Sequence, residues 1–162
     1  LLEIIPGART GPDAVATAVA FGAALRRATV FSTDERGFIV NRVLTRMFDV
    51  PLAALDAGQD PATVDAALDP LGLPMTPLQP RAAVQEFGEA LLNRAVEALA
   101  EEIRLMLDTG VVTEAAEVDR ALLLGANWPR ALGGITPYLD RTGVSERVTG
   151  RRFHRPGTVT LH

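Results

Sequence analysis

The spacing of hydrophobic positions changes once along the chain, near residue 37, and divides it in two. Before that point the apolar residues form two short runs, Leu1, Leu2, Ile4 and Ile5 and then Val30 and Phe31, on either side of an Ala- and Val-rich segment. The first run contains one acid, Glu3, and stops at Pro6 and Gly7, residues that end strands. Pro12 stands where a first helical position is expected, and the segment 13–27 closes on Arg26 and Arg27, which suit a helix C-terminus. Residues 28–32 include Thr29, Val30 and Phe31 and favour a strand. The predicted order is strand, helix, strand, the last βα unit of a parallel sheet whose other strands are not in this chain.

From Phe38 onward the period is helical. Phe38, Asn41, Thr45 and Phe48 fall on one stripe, with Ile39, Val43 and Leu44 in the neighbouring rows. Pro51, which lacks an amide proton, is expected to break or kink this helix, leaving a second piece, 52–57, that stops at Gly58. Asp60 and Pro61 open a short helix through Leu68, and the prolines at 70, 74, 77 and 80 predict an irregular connector. A long amphipathic helix then spans 81–108, with Val84, Phe87, Leu91, Ala95, Leu99, Ile103 and Met106 as its buried stripe. Glu86, Glu89, Arg94, Glu97 and Glu101 face away, and Glu101 and Glu102 read as a solvated face. Gly110 ends this helix. Thr113 is the expected cap of a helix to Leu124 that contains Asp119, and Gly133 and Gly134 precede a helix over 135–140. Trp128 is assigned to packing between units, and 151–162 to a loosely held basic and apolar tail.

Two stretches echo each other. Asn41-Arg42 leads through a helix to Asp56-Ala57-Gly58, then Val64-Asp65, then Gly72-Leu73-Pro74. Asn93-Arg94 leads to Asp108-Thr109-Gly110, then Val118-Asp119, then Asn127-Trp128-Pro129, and the Asn-to-Gly interval is 17 residues in both. The expectation is a duplicated helical unit packed on its own copy about a pseudo-two-fold axis.

Composition narrows the function classes. The chain has 162 residues, 48% hydrophobic and 22% charged, with a net charge of −4, enough for a folded core and without the basic face that nucleic acid requires. No apolar run approaches the roughly 18 residues of a membrane span. Cysteine is absent, which excludes disulfides and thiolate metal sites, and a cytoplasmic location is expected. The chain opens on Leu1 inside an apparent strand, so an excised piece of a longer polypeptide is expected. There is no G-x-G-x-x-G, no P-loop and no lysine, and the two histidines, His154 and His162, lie in the tail. Composition and spacing alone support a helix-rich domain and no more.

The segment Gly37-Phe38-Ile39-Val40-Asn41-Arg42 adds chemistry. It resembles the G-F-[IV]-x-N-R signature of 3-hydroxyacyl-CoA dehydrogenases. Leu1-Leu2-Glu3-Ile4-Ile5 resembles the strand that precedes that signature, and Asp34 matches the acid ahead of its glycine. Gly72-Leu73-Pro74-Met75-Thr76-Pro77 is similar to the family's G-x-P-M-G-P, and 108–140 is similar to the second C-terminal repeat of multifunctional fatty-acid oxidation proteins. Arg36 stands where proline is usual, Thr76 replaces a glycine, and the region between the repeats is much shorter than the family's.

The resemblance implies a mainly α fold of the 6-phosphogluconate dehydrogenase C-terminal-like type. In it a truncated βαβ remnant of a Rossmann domain (1–33) leads into a first helical repeat (34–80), a second (81–150) and a tail (151–162). It implies the substrate-binding and association part of an NAD-dependent L-3-hydroxyacyl-CoA dehydrogenase of fatty-acid β-oxidation. In that family a histidine takes the hydroxyl proton as hydride passes to NAD, a glutamate orients the histidine, and an asparagine holds the substrate oxygen. Glu3 and Asn41 match the glutamate and the asparagine, and the histidine would lie upstream of Leu1. Phe38 and Met75 are candidates for acyl-chain contact. No residue here is assigned to NAD, which the Rossmann domain would bind, and no metal is expected. The isolated chain is expected to be inactive. Expected partners are acyl-CoA and the Rossmann domain, with a homodimer possible and neither nucleic acid nor membrane involved. The alternatives are a non-catalytic helical assembly module and the helical domain of another 3-hydroxyacid dehydrogenase.

Overall fold

A computed structural model describes residues 1–72 and 85–157, and within these the side chains of 85–88 are left aside. Strands β1 (Leu2–Ile4) and β2 (Thr29–Phe31) pair in parallel, with Glu3 opposite Val30, and helix α1 (Pro12–Ala24) connects them. A parallel pair requires such a crossover. α1 is shorter than the segment 13–27 because Arg26 turns into the left-handed region at φ 53°. Only Gly22 of α1 is buried. Phe21 and Leu25, at 57% and 51% exposure, stand out in solvent.

Helix α2 (Val40–Asp56) is continuous through Pro51, contrary to the expected break. Proline removes one backbone hydrogen bond, but Pro51 is buried and Ala54 beyond it packs with Leu91, so burial holds the helix across the gap. The buried stripe also differs from the expected one. Val40, Val43, Met47, Pro51 and Ala54 face inward, while Asn41 and Thr45 are exposed.

Asp60 caps α3 (Pro61–Leu68), its carboxylate accepting from the Thr63 amide at 3.0 Å and the Thr63 hydroxyl at 3.1 Å. A short 3-10 helix, Asp69–Leu71, follows and ends on left-handed Gly72. The connector from 73 and the first turn of the expected long helix, including Val84 and Phe87, lie outside the described backbone or side chains, as does Met75.

Helix α4 (Gln85–Asp108) is the central pillar. Leu91, Ala95, Leu99, Ile103 and Met106 are fully buried, as its stripe predicts, and the main core forms around it with Ile39, Val43, Met47, Leu122, Trp128, Ile135 and Leu139. After Gly110 the chain enters α5 (Ala115–Gly125), a 3-10 helix Arg130–Leu132, α6 (Ile135–Arg141) and α7 (Val144–Thr149). The cap of α5 is Glu114 rather than Thr113. Glu117 reaches back to accept from the amides of both residues, at 2.7 Å for Thr113 and 3.2 Å for Glu114, satisfying orphan donors of the first turn. The order long helix, glycine, shorter helix, 3-10 helix, left-handed glycine thus occurs twice, through Gly58 and Gly72 and through Gly110 and Gly133. No helix among the described residues is long and apolar enough to cross a membrane.

Candidate functional site at the entrance of the second helix

The signature residues 37–42 form the turn into α2, and most of them have a structural task. Gly37, at φ 86°, adopts a conformation that suits glycine, and a Cβ there would come within 3.2 Å of the Arg42 backbone nitrogen. The Arg42 amide donates back to the Gly37 carbonyl at 3.1 Å. Phe38 is also left-handed, at φ 51°, and half-buried. Ile39 is fully buried in the core and Val40 nearly so.

Glu3 completes the turn from β1. One of its carboxylate oxygens accepts from the Ile39 amide at 2.9 Å and the other from the Val40 amide at 3.3 Å. The first amides of a helix have no partner within it, and a carboxylate there also meets the positive end of the helix dipole. The opening strand and the helix entrance are therefore joined by a side chain 36 positions away from its amide partner.

Of the two polar side chains in the signature, Arg42 is committed and Asn41 is not. Arg42 Nε pairs with Glu102 of α4, and the two side chains are only 19% and 14% exposed. Glu102 is thus not the solvated residue that its helical position suggests. Asn41 is exposed and has no hydrogen-bond partner among the described residues. Beside this entrance an open groove of about 480 Å³ runs between Gly37, Arg42, Thr45 and Glu102. Glu3 thus binds the backbone of the turn that carries Phe38 and Asn41, while Met75 lies outside the described residues.

A second polar cluster, which the sequence reading missed, lies in the C-terminal half. Asp119 of α5 and Thr136 of α6 are fully buried. Asp119 accepts from the Thr136 amide at 2.8 Å and from the Thr136 hydroxyl. That hydroxyl lies 2.6 Å from His154 Nε2. Because its single proton goes to Asp119, it can only accept from His154, so Nε2 carries a proton. Buried Asp140 accepts from the Ser145 hydroxyl, from the Phe153 amide at 3.0 Å and from the His154 amide at 2.9 Å. Arg104 stacks over Phe153, 4.9 Å from its ring centre. Residues 153–154 are therefore strapped onto the helices, and the expectation of a loosely held tail fails for them. The carboxylate of Asp119 raises the His154 pKa above its ordinary 6.5, against burial, with Asp140 and Glu114 adding to the rise. The signal available in the sequence was Asp119 itself, an acid on the apolar face of its helix between Val118 and Ala121.

Among the described residues no group of three or more His, Asp or Glu side chains could hold a metal ion. The sequence has no G-x-G-x-x-G, whose glycines let the backbone approach a pyrophosphate.

A family model described as "3-hydroxyacyl-CoA dehydrogenase, C-terminal domain" matches residues 37–85. The chain is similar to the "Fatty acid oxidation complex subunit alpha" of Acinetobacter baylyi (strain ATCC 33305 / BD413 / ADP1), 23% identical over 225 residues, which cover 91% of this chain and 31% of that protein. The protein of the same name from Pseudomonas aeruginosa (strain LESB58) is 24% identical over 224 residues, with the same two coverages. The chain thus spans about a third of the length of these relatives. The aligned stretch, 225 residues, exceeds the 162 of the chain, so the relatives carry residues inside it that this chain lacks. The matched stretch begins at the Gly37 turn that enters α2 and contains the signature 37–42, so the chain is similar there to the family whose signature its sequence resembles.

Proposed function

We propose that this chain is the substrate-facing helical part of an NAD-dependent L-3-hydroxyacyl-CoA dehydrogenase acting in fatty-acid β-oxidation, with Asn41 as its substrate-holding residue. One observation carries the reading. Gly37, Ile39, Val40 and Arg42 are all explained by the backbone turn, the core, the Glu3 cap or the Glu102 pair, which leaves the Asn41 amide exposed and unengaged among the described residues, next in sequence to Arg42 of the groove wall. An amide fixed in the first turn of a capped helix can donate to the oxygen of a bound 3-hydroxyacyl group and hold it in one orientation.

Glu3 takes the second role. Each carboxylate oxygen has more than one lone-pair site, so capping the Ile39 and Val40 amides leaves capacity to orient a histidine supplied by another part of the polypeptide. The hydride acceptor and the proton-accepting histidine belong to the remainder of the enzyme, so the isolated chain is inactive under this reading. The twofold order of elements fits a duplicated unit that buries one copy against the other, and the association surface is part of the same proposal.

The test is Asn41→Ala in the full-length polypeptide, assayed by NADH formation from an L-3-hydroxyacyl-CoA, with light scattering for assembly. Loss of one preorganised donor lowers kcat on the order of 100-fold, with assembly unchanged. Unchanged turnover with disturbed assembly would instead support a non-catalytic helical module.

A further inference from the structure

The entrance of α2 is held from three sides: by Glu3 from β1, by the turn at Gly37, and by Glu102 from the middle of α4. The third hold differs from the other two. It comes from the second long helix, it grips the residue next to Asn41, and among the described residues it is the less solvated of the two ion pairs joining α2 to α4. The neighbouring pair, Arg46 with Glu101 at 3.2 Å, has side chains 37% and 59% exposed, and Arg46 is shared with Asp49 at 3.8 Å. Exposed and shared pairs of that kind contribute little. A pair largely out of water is screened less and fixes geometry more strongly. Arg42 and Glu102 also form part of the wall of the 480 Å³ groove, and Arg42 adjoins Asn41 in the first turn of α2.

We propose that Glu102, acting through Arg42, is a positioning residue that sets the direction of the Asn41 amide and so couples the α4 half of the molecule to the site on α2. The inference rests on the reading of Asn41 as the substrate-holding residue. Without Glu102 the guanidinium of Arg42 loses its carboxylate partner, since Asp49, the other carboxylate of the wall, is shared with Arg46. The first turn of α2 is then held by Glu3 and Gly37 alone.

The test is a double-mutant cycle in the full-length enzyme, using Glu102→Gln, Asn41→Ala and both together, with oxidation of an L-3-hydroxyacyl-CoA as the readout. Misorientation of a positioning group costs roughly 10-fold in kcat, with KM changed less than about twofold because uniform binding is untouched. In the Asn41→Ala background the same change has no further effect, since there is no amide left to misdirect. Glu101→Gln, on the exposed pair, serves as the control and leaves kcat unchanged. An equal loss from Glu102→Gln in both backgrounds would mean a general structural role and overturn the proposal, as would wild-type kcat in Glu102→Gln alone. If Asn41→Ala itself retains full activity, the site reading fails and the inference with it. If Glu102→Gln does not fold, Arg42→Lys runs through the same cycle, since it keeps the charge but loses the planar fork that fixes direction.

Discussion

Glu3 tests the site at the scale of single residues. Its carboxylate serves two part-buried amides, so Glu3→Ala leaves both without a partner. Lost caps and orphaned donors each cost about 1–2 kcal/mol, and the midpoint of urea unfolding should fall accordingly. Glu3→Gln keeps an acceptor oxygen and should recover about half of that loss while leaving the proposed dyad role impaired. A decline in activity larger in Glu3→Gln than its stability loss explains would separate the catalytic task from the capping task. At this scale the sequence was informative in kind and incomplete in detail. Glu3 and Asn41 could be singled out because the motif places them. That Glu3 meets backbone amides of α2, and that Glu102 meets Arg42, could not be read, because neither contact follows a local period. Phe38 looked like an ordinary apolar helix residue, and its left-handed backbone, at φ 51°, shows instead that it belongs to the turn before the helix.

Among the elements, the contact of α5 with the site depends on a small residue. A Cβ at Gly125 would lie 2.8 Å from Leu1 Cδ2 and 3.0 Å from Val40 Cγ2. The end of α5 is thus pressed against both the opening strand segment and the first residue of α2. Gly125→Val overpacks this junction, at a cost of about 1–3 kcal/mol, and should lower Tm in a calorimetric scan. Gly58→Val meets no such neighbours but is strained by its backbone at φ 83°, so it is a poor control, and Gly11→Ala, with open space and an extended backbone, is a better one. The long periodic elements were legible: α3 opens at Asp60-Pro61 as its cap predicts, and Leu91, Ala95, Leu99, Ile103 and Met106 of the α4 stripe are buried as read, with Val96, Ala98 and Ala100 buried beside them. α2 was not, because a central proline and an exposed polar pair, Asn41 and Thr45, mimic a break and a different face. Tertiary burial of Pro51 outweighs the single missing hydrogen bond.

For the whole molecule, the strap at 153–154 ties the end of the described chain to α5 and α6 through two buried carboxylates. The groups facing His154 are Asp119 and Glu114 from the α5 segment and Asp140 from α6, with Arg104 of α4 stacked over the adjacent Phe153. His154 gains a partner on folding and its pKa is raised above 6.5. Its contribution is therefore complete below about pH 6.5, the unfolded value, and is lost as pH rises through the higher folded value. Thermal unfolding of the wild type should exceed that of His154→Phe by the widest margin near pH 6, with the margin shrinking toward pH 9. A margin that is flat or grows with pH would contradict the clasp. Nothing in the composition of 151–162 distinguished this strap from a solvated tail, because its partners are side chains 13 to 49 positions upstream.

The Glu3 cap has a further consequence for where this polypeptide can be divided. The stretch delimited by family similarity starts at residue 37, yet the amides of its first helical turn are terminated by an acid at position 3 and its flank is closed by one at position 102. An expression boundary drawn at the similarity limits would excise the recognisable motif from both carboxylates that hold it, so a piece that keeps both must reach at least from the opening strand to Glu102 of α4.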